Sequence, residues 1–364
     1  MTIKDIIQQL EHWAPRAYQE SYDNARLITG DKNEELSGVL ITLDCIEEVV
    51  QEAIEKKCNL IVAHHPIVFK GLKSLTGNDY IERTIIKAIK NDIAIYAIHT
   101  NLDNVHDGVN KKIADLIGLQ NLEVLSPKPS TLSKLVTFAP ADSKEIVLKK
   151  LHEAGAGMIG NYEHCSFTTE GVGTFLPNNK STPYIGESGK KQHVAENRIE
   201  LIFPSHLENQ VISALQKVHP YEEVAYYITT LSNSNQEVGA GLVGDLKDDM
   251  NSIDFLSSIK EKFNLTIIKH TRIHKNTVKR IAVCGGAGSF LLSKAKQAGA
   301  DIFITADYKY HEFFDAENRI TILDIGHYES EVFTKELIYD YLKEKMANIA
   351  LNLSEVVTNP INYF

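Results

Sequence analysis

Residues 38–65 read GVLITLDCIEEVVQEAIEKKCNLIVAHH. An apolar run is followed by apolar residues at helical spacing and then by a second apolar run, Leu60–Ala63. The stretch predicts strand, helix, strand. Its second strand ends on His64 and His65, and Pro66 prevents it from continuing. A histidine pair gains nothing from a solvent-facing loop, so its place at a strand end points to chemistry.

The stretch has an echo. RIAVCGGAGSFLLSKAKQAGADIFITAD (280–307) overlays it without gaps, Leu60, Ile61 and Val62 falling on Ile302, Phe303 and Ile304, and Ala53 on Ala295. Identities are few; the order of apolar positions is what repeats. Two other strand ends repeat as well. DIAIYAIHTNLD ends with His99 and Asp103 four residues apart, and RITILDIGHYESE ends with His327 and Glu331, also four apart. Echoes in the same order predict an α/β protein: two related lobes with mainly parallel sheets, forming one unit. Ligand sites of open α/β sheets gather beyond the carboxyl ends of strands. His64, His65, His99, Asp103, Asp307, His327 and Glu331 all occupy such places.

From about residue 128 the pattern changes to strand, helix, glycine turn, strand, helix, strand. That approaches βαββαβ, a ferredoxin-like α+β plan. LSNSNQEVGAG (231–241) then reads as a polar linker. The expected organisation is an N-terminal lobe (1–127), an inserted domain (128–232) and a C-terminal lobe (233–364).

Composition bounds the function. At 364 residues the chain exceeds one ordinary core, and 43% hydrophobic with 24% charged residues describes a soluble globular protein. A formal charge of −10 argues against a sequence-blind nucleic-acid binder, though not against small anionic ligands at a local site. Cys45, Cys58, Cys165 and Cys284 form no CxxC, so no disulfide framework or thiolate zinc site is expected. MTIKDIIQQLEHWAP reads as an amphipathic helix with Thr2 and Asp5 as a capping pair. No signal-like or membrane-spanning apolar run is evident, so the expected location is the cytoplasm, with no membrane partner.

Imidazoles and carboxylates suit zinc, manganese and iron. Each of these residues alone is more often a satisfied strand-end group; the set argues for metal. Side chains of neighbours His64 and His65 diverge, so two ions would take one each. Glu331 suits a bridge, Asp103 a completing ligand, and His327 with Glu331 project from one helix face. His64, His65, Asp103, His327 and Glu331 thus read as a dinuclear centre with room for water. His99 is a ligand, a partner orienting Asp103, or a proton shuttle. Asp307 and His311, in ITADYKYHEF, either line the same cleft or open a solvated helix. CGGAGSF (284–290) and EVGAGLVGDL read as turns or a bulge, since the former lacks the Lys-Ser/Thr of a P-loop. His164 and Cys165 are too few for a metal site, and neither a GxSxG elbow nor a local cysteine-nucleophile signature occurs.

AHHPIVFKGLKSL, YAIHTNLDNVHDGVN and DIGHYESE closely resemble motifs of the NIF-three-like family, whose bacterial members carry the name GTP cyclohydrolase 1 type 2 homolog. The resemblance covers both outer lobes. The middle segment, with HPYEEVAYYI, resembles the PII- or CutA-like domain that some members carry as an insertion. The resemblance implies a two-metal site on His64, His65, Asp103, His327 and Glu331: two divalent ions per chain, zinc first, with manganese or iron as alternatives. It also implies a toroidal homohexamer with metal sites facing an internal cavity. The leading expectation is a metal-dependent hydrolase acting on a nucleotide or another small substrate, with GTP ring opening as one case. The alternative is a non-enzymatic metal-binding scaffold or partner-binding regulator.

Overall fold

The computed structural model describes residues 1–364. They form two compact units, Met1–Pro127 with Gln236–Phe364, and Lys128–Asn235. No helix is long and apolar enough to cross a membrane.

The first unit holds two sheets. One has the spatial order Leu27–Thr29, Ala94–Ala97, Leu60–Ala63, Val39–Thr42, Leu351–Leu353. Its three inner strands run parallel and are buried at every position, as a sheet covered on both faces requires. Leu40, Ile61 and Ile95 meet Val49, Val50 and Ala53 of the helix Glu47–Glu55, and Ile85 and Ala88 of the helix Tyr80–Lys90. Alternate residues Val39, Ile41, Leu60 and Val62 face the opposite layer, which includes Ile3, Ile6, Ile7 and Leu10 of the helix Ile3–Trp13. At that helix's start the Thr2 amide donates to Asp5 at 2.7 Å.

The second sheet has the order Lys269–His270, Thr321–Asp324, Ile302–Ala306, Thr277–Ala287, Gly239–Asn251, Gln120–Pro127. Thr321–Asp324, Ile302–Ala306 and Thr277–Ala287 are mutually parallel; each outer strand pairs antiparallel with its inner neighbour. The predicted echo is present in the pairing itself. Val39–Leu60, Leu40–Ile61 and Ile41–Val62 face each other in the first sheet, and their overlay positions Ile281–Ile302, Ala282–Phe303 and Val283–Ile304 do so in the second.

Each half of the unit also contributes an edge strand to the other's sheet. Gln120–Pro127 pairs with Gly239–Asn251, and Leu351–Leu353 pairs with Val39–Ile41. The glycine-rich 238–246 stretch, expected as a turn or bulge, is mostly strand, with register shifts flanking Asp245. Glycine is needed there for close approach: a Cβ on Gly239 would lie 2.3 Å from the Ser126 carbonyl oxygen.

The second unit carries a four-stranded antiparallel sheet in the order Phe167–Phe175, Gln192–Pro204, Leu132–Pro140, Tyr226–Thr230. Helices Lys144–Glu153 and Glu208–Val218 complete βαββαβ, and Val147, Leu151, Val211 and Leu215 pack on Leu135, Ile199, Leu201 and Phe203. Residues after Thr230 stay with this unit: the Leu231 amide donates to the Leu132 carbonyl and Asn235 to the Thr131 hydroxyl. Its boundary therefore falls after Asn235.

Candidate metal centre

The strand Leu60–Ala63 delivers two histidines that remain tied to the sheet. The His64 amide donates to the Thr42 carbonyl at 3.2 Å and the His65 amide to the Leu43 carbonyl at 2.9 Å. Held this way, neighbouring side chains diverge, with ring centroids 4.9 Å apart. The strand Ala94–Ala97 leads to His99, which caps the short helix Thr100–Asp103. From the second sheet, Gly326 (φ +94°) turns the chain into the helix His327–Glu331. Two strands and two short helices thus bring these side chains to one point.

Each imidazole is held from outside by its Nδ1. His64 Nδ1 lies 2.8 Å from the Ile98 carbonyl, His65 Nδ1 2.7 Å from Asp44, His99 Nδ1 2.8 Å from Asp23, and His327 Nδ1 2.7 Å from Asp307. Such outer acceptors set the ring orientation and leave Nε2 available to ligate a metal. Asp307, predicted for the cleft, is thus the support of His327; it sits at φ +58°, a left-handed conformation that aspartate adopts more readily than most residues. Asp23 and Asp44 escaped the sequence reading. Asp44 follows the strand Val39–Thr42 by two residues in TLDC, so its strand-end place was the available signal.

The inward atoms form overlapping groups: His65, His327 and Glu331; His64, Asp103 and Glu331; and His64, His65 and His99, in each of which the ligand atoms lie within 4.8 Å of one another. Glu331 Oε2 is 2.9 Å from His65 Nε2 and 3.0 Å from His327 Nε2, and those two nitrogens are 3.3 Å apart. Ligands at about 2.1 Å around a tetrahedral ion lie roughly 3.4 Å from each other, so the spacing suits a shared cation. His64 Nε2 and Asp103 Oδ1, 3.5 Å apart, are buried with no hydrogen-bond partner. Buried polar atoms are otherwise almost always satisfied, so this pair fits a cation-binding role.

Electrostatics support the same reading. Burial pushes His64 down to about 3, which keeps its imidazole neutral and able to ligate. Burial also opposes charge on His65 and His327, yet hydrogen bonds to Asp44 and Glu331, and to Asp307 and Glu331, lift them to about 9 and about 11. Burial would raise Glu331, but its bonds to His327 and His65 hold it well below the usual carboxylate range. Burial and the neighbouring Glu331 carboxylate raise Asp103. A cation bound there would displace protons from the centre.

The glycines of CGGAGSF make room for Glu331. A Cβ on Gly286 (φ +59°) would stand 2.4 Å from Glu331 Oε1, and one on Gly285 3.3 Å from its Cγ. The centre opens into a cavity of about 1330 Å³ whose walls include His65, His99, Asp103, His327, Glu331 and Cys284. His311 does not join it: its ring lies against Tyr310 and Phe314 in the 3₁₀ segment Tyr310–Ala316. His164, in the other unit, stacks on His152 at 4.8 Å.

The Duf34/NIF3 (NGG1p interacting factor 3) family model matches residues 1–360. A Bacillus subtilis protein named GTP cyclohydrolase 1 type 2 homolog is 38% identical over 365 residues, 99% of this chain and 98% of its own. A solved Bacillus cereus protein related to NIF3 covers 100% of this chain and 99% of its own at 37% identity, with a TM-score of 0.88. A solved Staphylococcus aureus protein does so at 33% identity and a TM-score of 0.79, with the same coverage. The chain belongs to the Duf34/NIF3 family.

Proposed function

We propose that this chain is a metal-dependent hydrolase of a nucleotide or other small molecule, with two divalent cations, zinc foremost, held by His64, His65, Asp103, His327 and Glu331. The observation that carries the reading is the partnerless, buried pair His64 Nε2 and Asp103 Oδ1 beside the shared Glu331 carboxylate. Divalent cations bound there supply Lewis acidity and bring the deprotonation of water near neutral pH. The protein's own groups do the rest. Glu331 joins the two ligand groups, Asp44 and Asp307 keep the imidazole planes fixed, and the cavity admits a small molecule to the open side. His99, steadied by Asp23, presents Nε2 next to His64 and His65 and carries the proton away or returns it to the leaving group. The names of the relatives support GTP as the first substrate to try, and the family resemblance supports a ring-shaped homohexamer.

The test is elemental analysis of untagged protein together with GTP turnover, on wild type and Glu331→Ala. Near two ions per chain, with metal and turnover both lost in the variant, is the expected result. Bound metal without turnover on GTP or phosphoesters would transfer the centre to a scaffold role. Absence of metal would overturn the assignment.

A further inference from the structure

Between Pro66 and Asp79 the chain has no regular secondary structure and runs along the wall of the metal cavity. It is fastened at both ends. On one side Ile67 is buried in the core and Asn24 donates its side-chain amide to the Val68 carbonyl at 2.7 Å. On the other side Glu82 accepts from the Ser74 and Thr76 hydroxyls at 3.0 Å and from the amides of Thr76, Gly77 and Asn78 at 2.8–3.0 Å. Residues 69–73 between these anchors make no backbone hydrogen bond. Gly71 has nothing within 4 Å of where a Cβ would stand.

This five-residue span, Phe-Lys-Gly-Leu-Lys, contributes every one of its residues to the cavity wall. Phe69, 49% exposed, sets its ring edge-on to His99 at 5.5 Å. Lys70 and Lys73 form no ion pair, although Glu47, Glu48 and Asp79 line the same cavity and Arg83 nearby is paired with Glu47 at 2.8 Å. Two ammonium groups thus stand uncompensated on a tethered span beside a centre built for cations. A single dianionic group with several acceptor oxygens, such as a phosphate monoester, satisfies both. At about 1330 Å³ the cavity exceeds the usual volume for a drug-sized ligand, so it accommodates a phosphorylated molecule of nucleotide size. Lysine, a compact point charge with three donors, is an ordinary phosphate binder.

We propose that residues 69–73 form a strap by which Lys70 and Lys73 hold the phosphate of a phosphorylated small molecule whose reacting end lies at the histidine–carboxylate centre. The proposal rests on the metal-dependent hydrolase reading for the position of the reacting end, and on the strap alone for the phosphate. Binding closes the span over the cavity by pivoting between the Val68 and Ser74 anchors.

The experiment is calorimetric titration of full-length protein, metal-loaded and metal-free, with inorganic phosphate and with GMP, guanosine serving as the uncharged control. In the Lys70→Ala/Lys73→Ala variant phosphate and GMP affinity should fall roughly 10- to 100-fold, the scale of one or two charged hydrogen bonds. Metal content and guanosine affinity should stay unchanged, and Lys70→Arg/Lys73→Arg should retain most of the phosphate affinity. Hydrogen exchange at residues 69–73 should slow when GMP is added to wild type. Equal affinity in wild type and the double alanine variant would overturn the strap, as would no phosphate or GMP binding by wild type in either metal state. Failure of the hydrolase reading would show separately, as absent metal or turnover while the lysine-dependent affinity persists in metal-free protein.

Discussion

The two strand–helix–strand stretches of the first unit, 38–65 and 280–307, share their strand register but not their chemistry. In the gapless overlay His65 falls on Asp307, and Asp44 falls on Gly286. In the first stretch a carboxylate beyond one strand supports an imidazole beyond the next, Asp44 holding His65 at 2.7 Å. In the second stretch the overlay position of the imidazole holds the support of another histidine, His327, and the position of the support is a glycine that leaves space for Glu331. Similar frameworks thus divide the work: one presents imidazoles that could ligate a metal, the other presents what orients and accommodates such groups. Beyond His65 and Asp307 they differ again. The first continues into the irregular segment 66–79, the second into the 3₁₀ segment Tyr310–Ala316.

Removing an inward-facing imidazole from the first stretch is the severest way to break this comparison. His65→Ala removes a group shared by two of the ligand clusters. Competition titration with a chromophoric chelator should show metal affinity reduced beyond the roughly 10- to 100-fold expected for an outer partner. An affinity within that range would mean that His65 is no ligand.

Gly286→Ala comes next. The added methyl meets Glu331 Oε1 and the residue sits at φ +59°, so both metal affinity and stability should fall, the latter by about 1–3 kcal/mol in chemical denaturation. Gly171, with open space around its would-be Cβ, is the control position for the same substitution. Equal effects at the two glycines would break the argument.

Asp307→Asn and Asp44→Asn keep shape and remove charge from the supports of His327 and His65. Each should weaken metal binding roughly 10- to 100-fold while leaving the fold intact by circular dichroism. A loss for Asp44 with none for Asp307 would show that only the first stretch orients its imidazole.

The smallest effect concerns the strap anchor. The amides of Asn78 and Thr76 lead the contacts that push Glu82 down to about 2 from an ordinary 4.5. A carboxylate with a depressed folded pKa contributes its stability in full above the unfolded value. That contribution is lost as the pH falls from about 4.5 through about 2. Exchange of the Thr76, Gly77 and Asn78 amides, corrected for intrinsic rates, should therefore quicken at pH 3 relative to pH 6. In Glu82→Gln the same amides should lose that pH dependence.

Much of this was legible in the chain because it depends on local order. Continuous apolar runs such as Leu60–Ala63 mark buried parallel strands, and Pro66 marks where the strand must stop. Spacing of four placed His327 and Glu331 on one helix face. Asp23 was not legible: it serves His99 across a separation of 76 residues, with no periodicity to announce it. The purpose of Gly285 and Gly286 was hidden for a related reason. A glycine required by a turn and one required by a distant carboxylate look alike until the carboxylate arrives.

By itself the sequence determined most of the strands and helices, though not the glycine-rich parts of Gly239–Asn251 and Thr277–Ala287, and the residue types gathered at strand ends, since these follow from side-chain periodicity and backbone restriction over a few neighbours. Only the tertiary structure decided that each half supplies an edge strand to the other, which nitrogen of each histidine faces inward, and that Glu331 stands among three imidazoles and Asp103. Those outcomes depend on packing and hydrogen bonding between residues well apart in the chain, 20 positions for Asp307 with His327 and 266 for His65 with Glu331, where charge, burial and the space left by a missing side chain act together.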